Sequence, residues 1–213
     1  MSLYVPDHFR TPSPAASHAL IETHPLGLLV SVAGRAPMFS PVPVLLDAAN
    51  GEQGTIRFHL ARSNPHCAQL VADGEATFVF QGPQTYVSPD WYVDPELPPT
   101  WNYEVVIAHG RATPLDDDGL RRLLTDLSAA QEGRLEKTPW TPDKMGEERI
   151  RGLMRGITGF TFAIETIEAK SKLSQNRAAP DRESLREALD AEGNEGARHI
   201  SRRMAELDPD RES

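Results

Sequence analysis

The sequence predicts an α+β chain built on a small β-barrel, with peripheral helices around the sheet and a helical appendage at the C-terminal end. Three observations carry this. Seven segments have strand character: Leu26 to Val32, Met38 to Leu46, Thr55 to Leu60, Ala76 to Phe80, Thr85 to Ser88, Tyr103 to Ala112 and Gly159 to Ile167. They do not alternate regularly with helices, which argues against a doubly wound parallel sheet. A helical insertion separates the last two, so the final strand joins the sheet late in the chain.

The helices follow from period and punctuation. Ala15, Ala19 and Ile21 share one side of a short helix that His24-Pro25 ends, because the residue before a proline avoids helical geometry. Phe58 to His66 reads as a strand end, a basic residue at Arg62, and a helix capped by Ser63 or Asn64 with Pro65 just inside. Leu120, Leu123, Leu124 and Leu127 repeat at the spacing of a buried stripe behind the acidic entry Asp116 to Asp118. Thr141-Pro142 predicts the start of a further helix that carries Ile150, Leu153 and Met154 inward. After Asn176 charged residues and alanine dominate, with Leu185 and Leu189, then Ile200, Met204 and Leu207, at helical spacing around a Gly193 to Gly196 turn. This predicts two terminal helices of low intrinsic stability with a frayed end after Pro209. The expected division is a barrel domain over 1–176 and a helical extension over 177–213.

Composition narrows the function. Among 213 residues, 22 Lys and Arg face 31 Asp and Glu, a formal charge of -9, so no general attraction draws the chain onto phosphate backbones or anionic membranes. Direct nucleic-acid binding would need a local basic patch. The last helix offers the one candidate, with Arg198, Arg202 and Arg203 opposite Ile200 and Met204, but Glu195 and Glu206 flank it. The single cysteine, Cys67, excludes an internal disulfide and any Cys-x-x-Cys motif, which fits a reducing cytoplasm. Met1 to Arg10 lacks an apolar core of signal-peptide length, and no apolar run approaches the roughly 20 residues of a membrane span. A cytoplasmic protein is expected.

Three stretches hold candidate chemistry. At Arg62 to His66 a helix N-terminus and a guanidinium fork suit a phosphate, although an ordinary capped surface helix has the same pattern, and His59 alone reads as a half-buried strand residue sooner than as a ligand. Tyr86 to Tyr92 and Pro98 to Tyr103 place aromatic rings beside hydroxyl and amide groups, as a planar heterocycle requires, or as loop anchors do. Lys170 to Asn176 concentrates side-chain donors after the last strand, either to close over an anionic ligand or as a solvated linker. No acid–base pair stands out as catalytic, and no metal motif is present.

Taken in order, Tyr4-Val5-Pro6-Asp7-His8-Phe9, Arg62 to His66, Ser88-Pro89-Asp90-Trp91-Tyr92, Pro99-Thr100-Trp101-Asn102-Tyr103 and Lys172-Leu173-Ser174-Gln175-Asn176 resemble successive hallmarks of the PaiB-type family, the FMN-binding negative transcriptional regulators. That family is similar to the pyridoxamine-phosphate-oxidase-like flavoproteins. The resemblance implies an FMN-binding split β-barrel and a homodimer with FMN at the subunit interface. It places Arg62, Ser63, Asn64 and His66 near the FMN phosphate, with His59 on the strand beneath. It brings Thr100, Trp101 and Asn102, and Lys172, Ser174, Gln175 and Asn176, to the ring or ribityl chain. The function it implies is a transcriptional regulator without an evident DNA-binding motif. The alternative is an FMN-dependent oxidoreductase acting on a small molecule. A haem-handling split barrel is less favoured, since His8, His18, His24, His59, His66, His109 and His199 offer axial ligands that no motif selects.

Overall fold

The structure, a computed structural model, describes residues 3–11, 13–34, 36–208 and 210. Six strands form one closed sheet: β1 (Leu26–Ala33), β2 (Ala36–Asp47), β3 (Thr55–Ala61), β4 (Glu75–Val87), β5 (Thr100–Pro114) and β6 (Ile157–Lys172), in the order β1-β2-β3-β6-β5-β4. Six helices accompany them: α1 (Pro14–Thr23), α2 (Pro65–Ala72), α3 (Asp117–Glu132), α4 (Glu147–Met154), α5 (Ala179–Glu192) and α6 (Glu195–Glu206). The α+β barrel expected from the sequence is the observed fold. Among the described residues no helix is long and apolar enough to cross a membrane.

Three expectations are corrected. The segments Ala76 to Phe80 and Thr85 to Ser88 are one strand, β4, because the inward alternation of Ala76, Phe78 and Phe80 continues through Gly82. Thr141-Pro142 opens only a short 3-10 turn without a side-chain cap, and α4 begins at Glu147 after Gly146. Strand β6 runs on to Lys172, so the polar run expected after the strand starts inside it. The end expected to fray after Pro209 lies largely outside the described residues.

Strand β2 shows how the sequence tolerates proline inside a sheet. The Val44 amide donates to the Pro25 carbonyl at 2.8 Å, on the β1 side, and alternate residues of a strand direct their amides to opposite sides. Pro37, Pro41 and Pro43 therefore lack an N–H on the side away from β1. The β2–β3 ladder covers only Val44 to Asp47, so none of the three interrupts it.

The chain divides into two compact units, and β4, β5 and β6 contribute residues to both. The unit of 18–80 and 107–167 has a phenylalanine core. Phe58 and Phe160, register partners on β3 and β6, stack with centroids 5.2 Å apart, and Phe78 meets Phe58 and Phe162 edge-on at 5.2 Å. Gly27 makes room for these rings, since a Cβ there would lie 2.6 Å from Phe80. Helix α3 follows the predicted stripe, with Leu120 and Leu123 buried and the Asp116 carboxylate accepting from the Gly119 amide at 2.7 Å.

The unit of 1–17, 81–106 and 168–213 has a second core, in which Val87, Tyr92 and Leu173 pack with Leu185 and Leu189 of α5 and Ala197, Ile200 and Met204 of α6. The boundary expected at Asn176 thus runs through a shared core. Burial against strand and loop residues stabilises helices whose own propensity is modest. Deleting 177–213 uncovers Val87, Tyr92 and Leu173. The expected result is loss of a single cooperative urea transition, whereas Leu185→Ala keeps the transition and lowers the unfolding free energy by about 2–5 kcal/mol.

Candidate cofactor site

In the first unit the site grows from the end of β3. Phe58 and Leu60 point into the core, so His59 and Ala61 take the other face. His59 is half-buried, its Nδ1 has no partner among the described residues, and burial holds its imidazole below the usual range. The chain then turns. The Arg62 amide donates to the Gly156 carbonyl at 2.9 Å and its exposed guanidinium donates to the Ile157 carbonyl at 3.1 Å, leaving further donors directed at solvent. Ser63 is exposed beside it.

Asn64 is the cap of α2, its Oδ1 accepting from the His66 amide at 3.0 Å with Pro65 at the first helical position. The Asn64 Nδ2 donates to Ser40 Oγ at 3.2 Å. His66 shares hydrogen bonds with both serines, its Nδ1 3.0 Å from Ser40 Oγ and its Nε2 2.8 Å from Ser31 Oγ. This chain of bonds holds the ring of a fully buried histidine in place through both nitrogens. It also decides what the turn offers an anion. The first amides of α2 are taken, since Asn64 accepts from His66 through its side chain and from Cys67 through its carbonyl. Arg62 and Ser63 remain.

In the second unit the run after β6 is held by its own side chains. Gln175 Oε1 accepts from the Leu173 amide at 2.8 Å while its Nε2 donates to the Ser171 carbonyl at 2.7 Å. Ser174 has φ 64°, the left-handed region that a side chain makes costly, and its hydroxyl donates to Asn102 Oδ1 at 3.1 Å. Asn102 is fully buried and passes the contact on to Met204 Sδ at 3.6 Å. Lys172 donates to Thr100 Oγ1 and, at 2.7 Å, to the Trp101 carbonyl. Burial, then Lys170 and Arg177, hold its ammonium below the usual range. Trp101 is half exposed, with Tyr86 edge-on at 6.0 Å, and Asn176 is exposed.

Behind this run Glu104, almost fully buried on β5, accepts from Ser171 Oγ at 2.8 Å and from both Nε and Nη2 of Arg203 at 2.9 and 3.0 Å. Among the described residues no group of three or more His, Cys, Asp and Glu side chains is placed to hold a metal ion.

A family model described as "Putative FMN-binding domain" matches residues 3–166. The Bacillus subtilis protein named Protease synthase and sporulation protein PAI 2 is 30% identical over 202 residues, which covers 95% of this chain and 96% of that protein. The chain belongs to the PaiB-type FMN-binding family. Solved structures show the same fold at low identity. The FAD and haem binding protein from Mycobacterium smegmatis has a TM-score of 0.57 at 16% identity, covering 87% of this chain and 80% of its own. A conserved hypothetical protein from Mycobacterium tuberculosis has a TM-score of 0.59 at 11% identity, covering 83% and 94%. The barrel is therefore a split barrel, and FMN is the cofactor of this PaiB-type chain.

The donors present suit such a ligand: a guanidinium and a hydroxyl at a turn, and elsewhere an ammonium, an exposed amide and an open indole face. The sequence pointed to Arg62, Ser63, Asn64, His66 and His59, and these all lie in the first unit. Thr100, Trp101, Asn102, Lys172, Ser174, Gln175 and Asn176 all lie in the second. Sequence reasoning missed Ser31, Ser40, Glu104 and Arg203. The signal for Glu104 was available, since a carboxylate in step with Asn102, Val106 and Ala108 stands at an inward strand position.

Burial also keeps the His66 imidazole below its ordinary pKa of 6.5. As the pH falls the unfolded chain takes up the proton first, so this stability is present above about 6.5 and is lost as the pH drops toward the lower native value. The urea midpoint should fall between about pH 7.5 and 5.5, and His66→Gln should show a shallower fall. An equal slope in both proteins would remove His66 as a source of the effect.

Proposed function

We propose that this PaiB-type protein is an FMN-dependent oxidoreductase acting on a small molecule, and that any regulatory effect arises through that chemistry and not through contact with DNA. The observation that carries the reading is the commitment of Arg203. Among the described residues the one candidate recognition helix, α6, buries Ala197, Ile200, Ser201 and Met204 and gives Arg203 to Glu104 and Glu206. That leaves Arg198 and Arg202 beside Glu195, too small a basic face for a chain of charge -9. The haem reading has no comparable support, because His66 spends both ring nitrogens on serines and His18 bonds the Gln53 carbonyl.

In this reading Arg62 and Ser63 meet the FMN phosphate. Asn64 and His66 hold the turn from beneath, and His59 lies on the strand leading into it. Thr100, Trp101 and Asn102 with Lys172, Ser174, Gln175 and Asn176 form the surface for ring and ribityl chain. In that second group Lys172, Trp101 and Asn176 face the ligand, while Asn102, Ser174 and Gln175 set the backbone. FMN supplies one- and two-electron transfer, and the protein orients it and limits access. We further propose a cytoplasmic homodimer with the cofactor at the subunit interface. Sedimentation at micromolar concentration should then give about twice 23.5 kDa, and a monomer that binds FMN tightly would contradict it.

The test of the phosphate assignment is a pair of ligands. FMN should bind more tightly than riboflavin, and Arg62→Ala should weaken FMN by about 1–3 kcal/mol while leaving riboflavin nearly unchanged. Equal affinity for the two ligands would refute it. Anaerobic addition of NADH or NADPH to the FMN-loaded protein should bleach the flavin, with colour returning in air. A flavin that no reductant bleaches would return the protein to a binding role.

A further inference from the structure

The two terminal helices lie beyond the family match, which ends at residue 166, and a groove of about 680 Å³ opens between them. Leu185 and Leu189 of α5 and Ile200 and Met204 of α6 are spent on the core. Arg182 and Arg186, one helical turn apart on α5, line the groove, and Arg202 joins them from α6. Like charges four residues apart on a helix repel, so the stripe is unfavourable unless an anion answers it. Every residue of the groove belongs to one compact unit and follows Arg177, and none is assigned to the flavin.

The three guanidinium groups are answered unequally. Arg182 is 6% exposed; its Nη1 donates to the Arg177 carbonyl at 2.6 Å, and its Nη2 donates both to Asp208, at 2.8 Å, and to Asp210. Among the described residues the Arg186 guanidinium has no hydrogen-bond partner, and the buried Nε of Arg182 and of Arg186 are both left over. Arg202 has only the Arg198 carbonyl, at 3.4 Å. Burial opposes the charge of Asp208, yet the Asp210 amide, the Arg182 hydrogen bond and the charges of Arg182 and Arg186 together hold its carboxyl below the usual range. Two carboxylates that converge on one nitrogen repel each other, and only a strong positive field keeps them there. Of the other acids that line the groove, Glu206 is bonded to Arg203, and Glu183 and Asp190 are exposed, where water and salt screen them.

We infer that the groove between α5 and α6 is a binding site for a compact anion with two adjacent charged groups, of the diphosphate class, that Arg182, Arg186 and Arg202 hold it, and that Asp208 and Asp210 are the chain's own stand-in for it. The paired carboxylates mark where the two charged groups sit, and the spare donors of Arg186 and Arg202 give a diphosphate contacts that the chain end does not make. Binding therefore requires the acidic end to leave Arg182, which makes the site self-occluded until the ligand competes successfully.

Asp208→Asn with Asp210→Asn leaves Arg182 buried without a counter-charge, so the double variant should melt below the unaltered protein. Pyrophosphate should restore that loss, and chloride at matched ionic strength should not. Calorimetry on FMN-saturated protein keeps the flavin phosphate's own place filled. Pyrophosphate should bind the double variant about tenfold more tightly than the unaltered chain, because tethered acids compete at high effective concentration. Orthophosphate, with one charged group, should bind about tenfold more weakly than pyrophosphate. Arg186→Gln, which loses no hydrogen bond within the protein, should weaken pyrophosphate about tenfold with little change in melting temperature. Asp210→Asn alone keeps Asp208 on Arg182, should strengthen binding by less, and serves if the double variant does not fold. Equal pyrophosphate affinity with and without the two acids, equal affinity for the two phosphates, or no saturable binding in any variant overturns the inference. Binding that survives Arg186→Gln but is lost in Arg62→Ala places pyrophosphate at the turn before α2 and overturns it as well.

Discussion

Glu104 takes an inward place on β5, where a carboxylate is almost fully buried and its charge must be answered from within the protein. Arg203 answers it with two parallel N–H bonds, and Ser171 adds a hydroxyl from β6. Removing one partner of such a pair costs about 3–5 kcal/mol, more than any surface ion pair contributes. Much follows from this anchor. It fixes the rotation of α6, which sets Met204 against Asn102, and Asn102 in turn receives the Ser174 hydroxyl that accompanies a left-handed backbone. The turn that presents Lys172 is therefore held by a helix that follows it by about thirty residues. The family match ends at residue 166, so much of this apparatus lies beyond it.

The other unit reaches the same end by neutral chemistry. His66 is buried between two serines, and Asn64 Nδ2 donates to one of them, Ser40. The result is a stiff underside for the Arg62 turn. Both units surround side chains that face outward with polar groups that have no freedom left. Such fixed surroundings reduce the reordering that ligand binding requires.

The strands were legible because a barrel wall buries alternate residues, and the α3 stripe because a helix buries every third or fourth. What periodicity cannot supply is the identity of the partner. Leu185, Leu189, Ile200 and Met204 announced amphipathic helices, but nothing local said that Val87, Tyr92 and Leu173 would meet them. Arg203 looked like part of a basic face because a sequence displays charge without its counter-charge, here 99 residues away. The gap left between the segments ending at Phe80 and starting at Thr85 was the interior of a strand. The density of donors from Lys172 to Asn176 was visible, yet Ser174 and Gln175 spend theirs on the turn, which only the closed geometry reveals.

The prolines of β2 have a consequence for the protein in a crowded solution. A strand whose outer amides are unpaired is a template on which a foreign β-segment can grow, and long exposed edges of this kind lead to fibrous association. Between Pro37 and Pro43 three of the four amides that would face outward are missing by covalent structure, and Phe39 alone keeps one. An intruding strand would find acceptors without donors. The chain thus carries a safeguard against edge-to-edge polymerisation at the stretch of β2 that has no β3 partner, and it does so without adding charge.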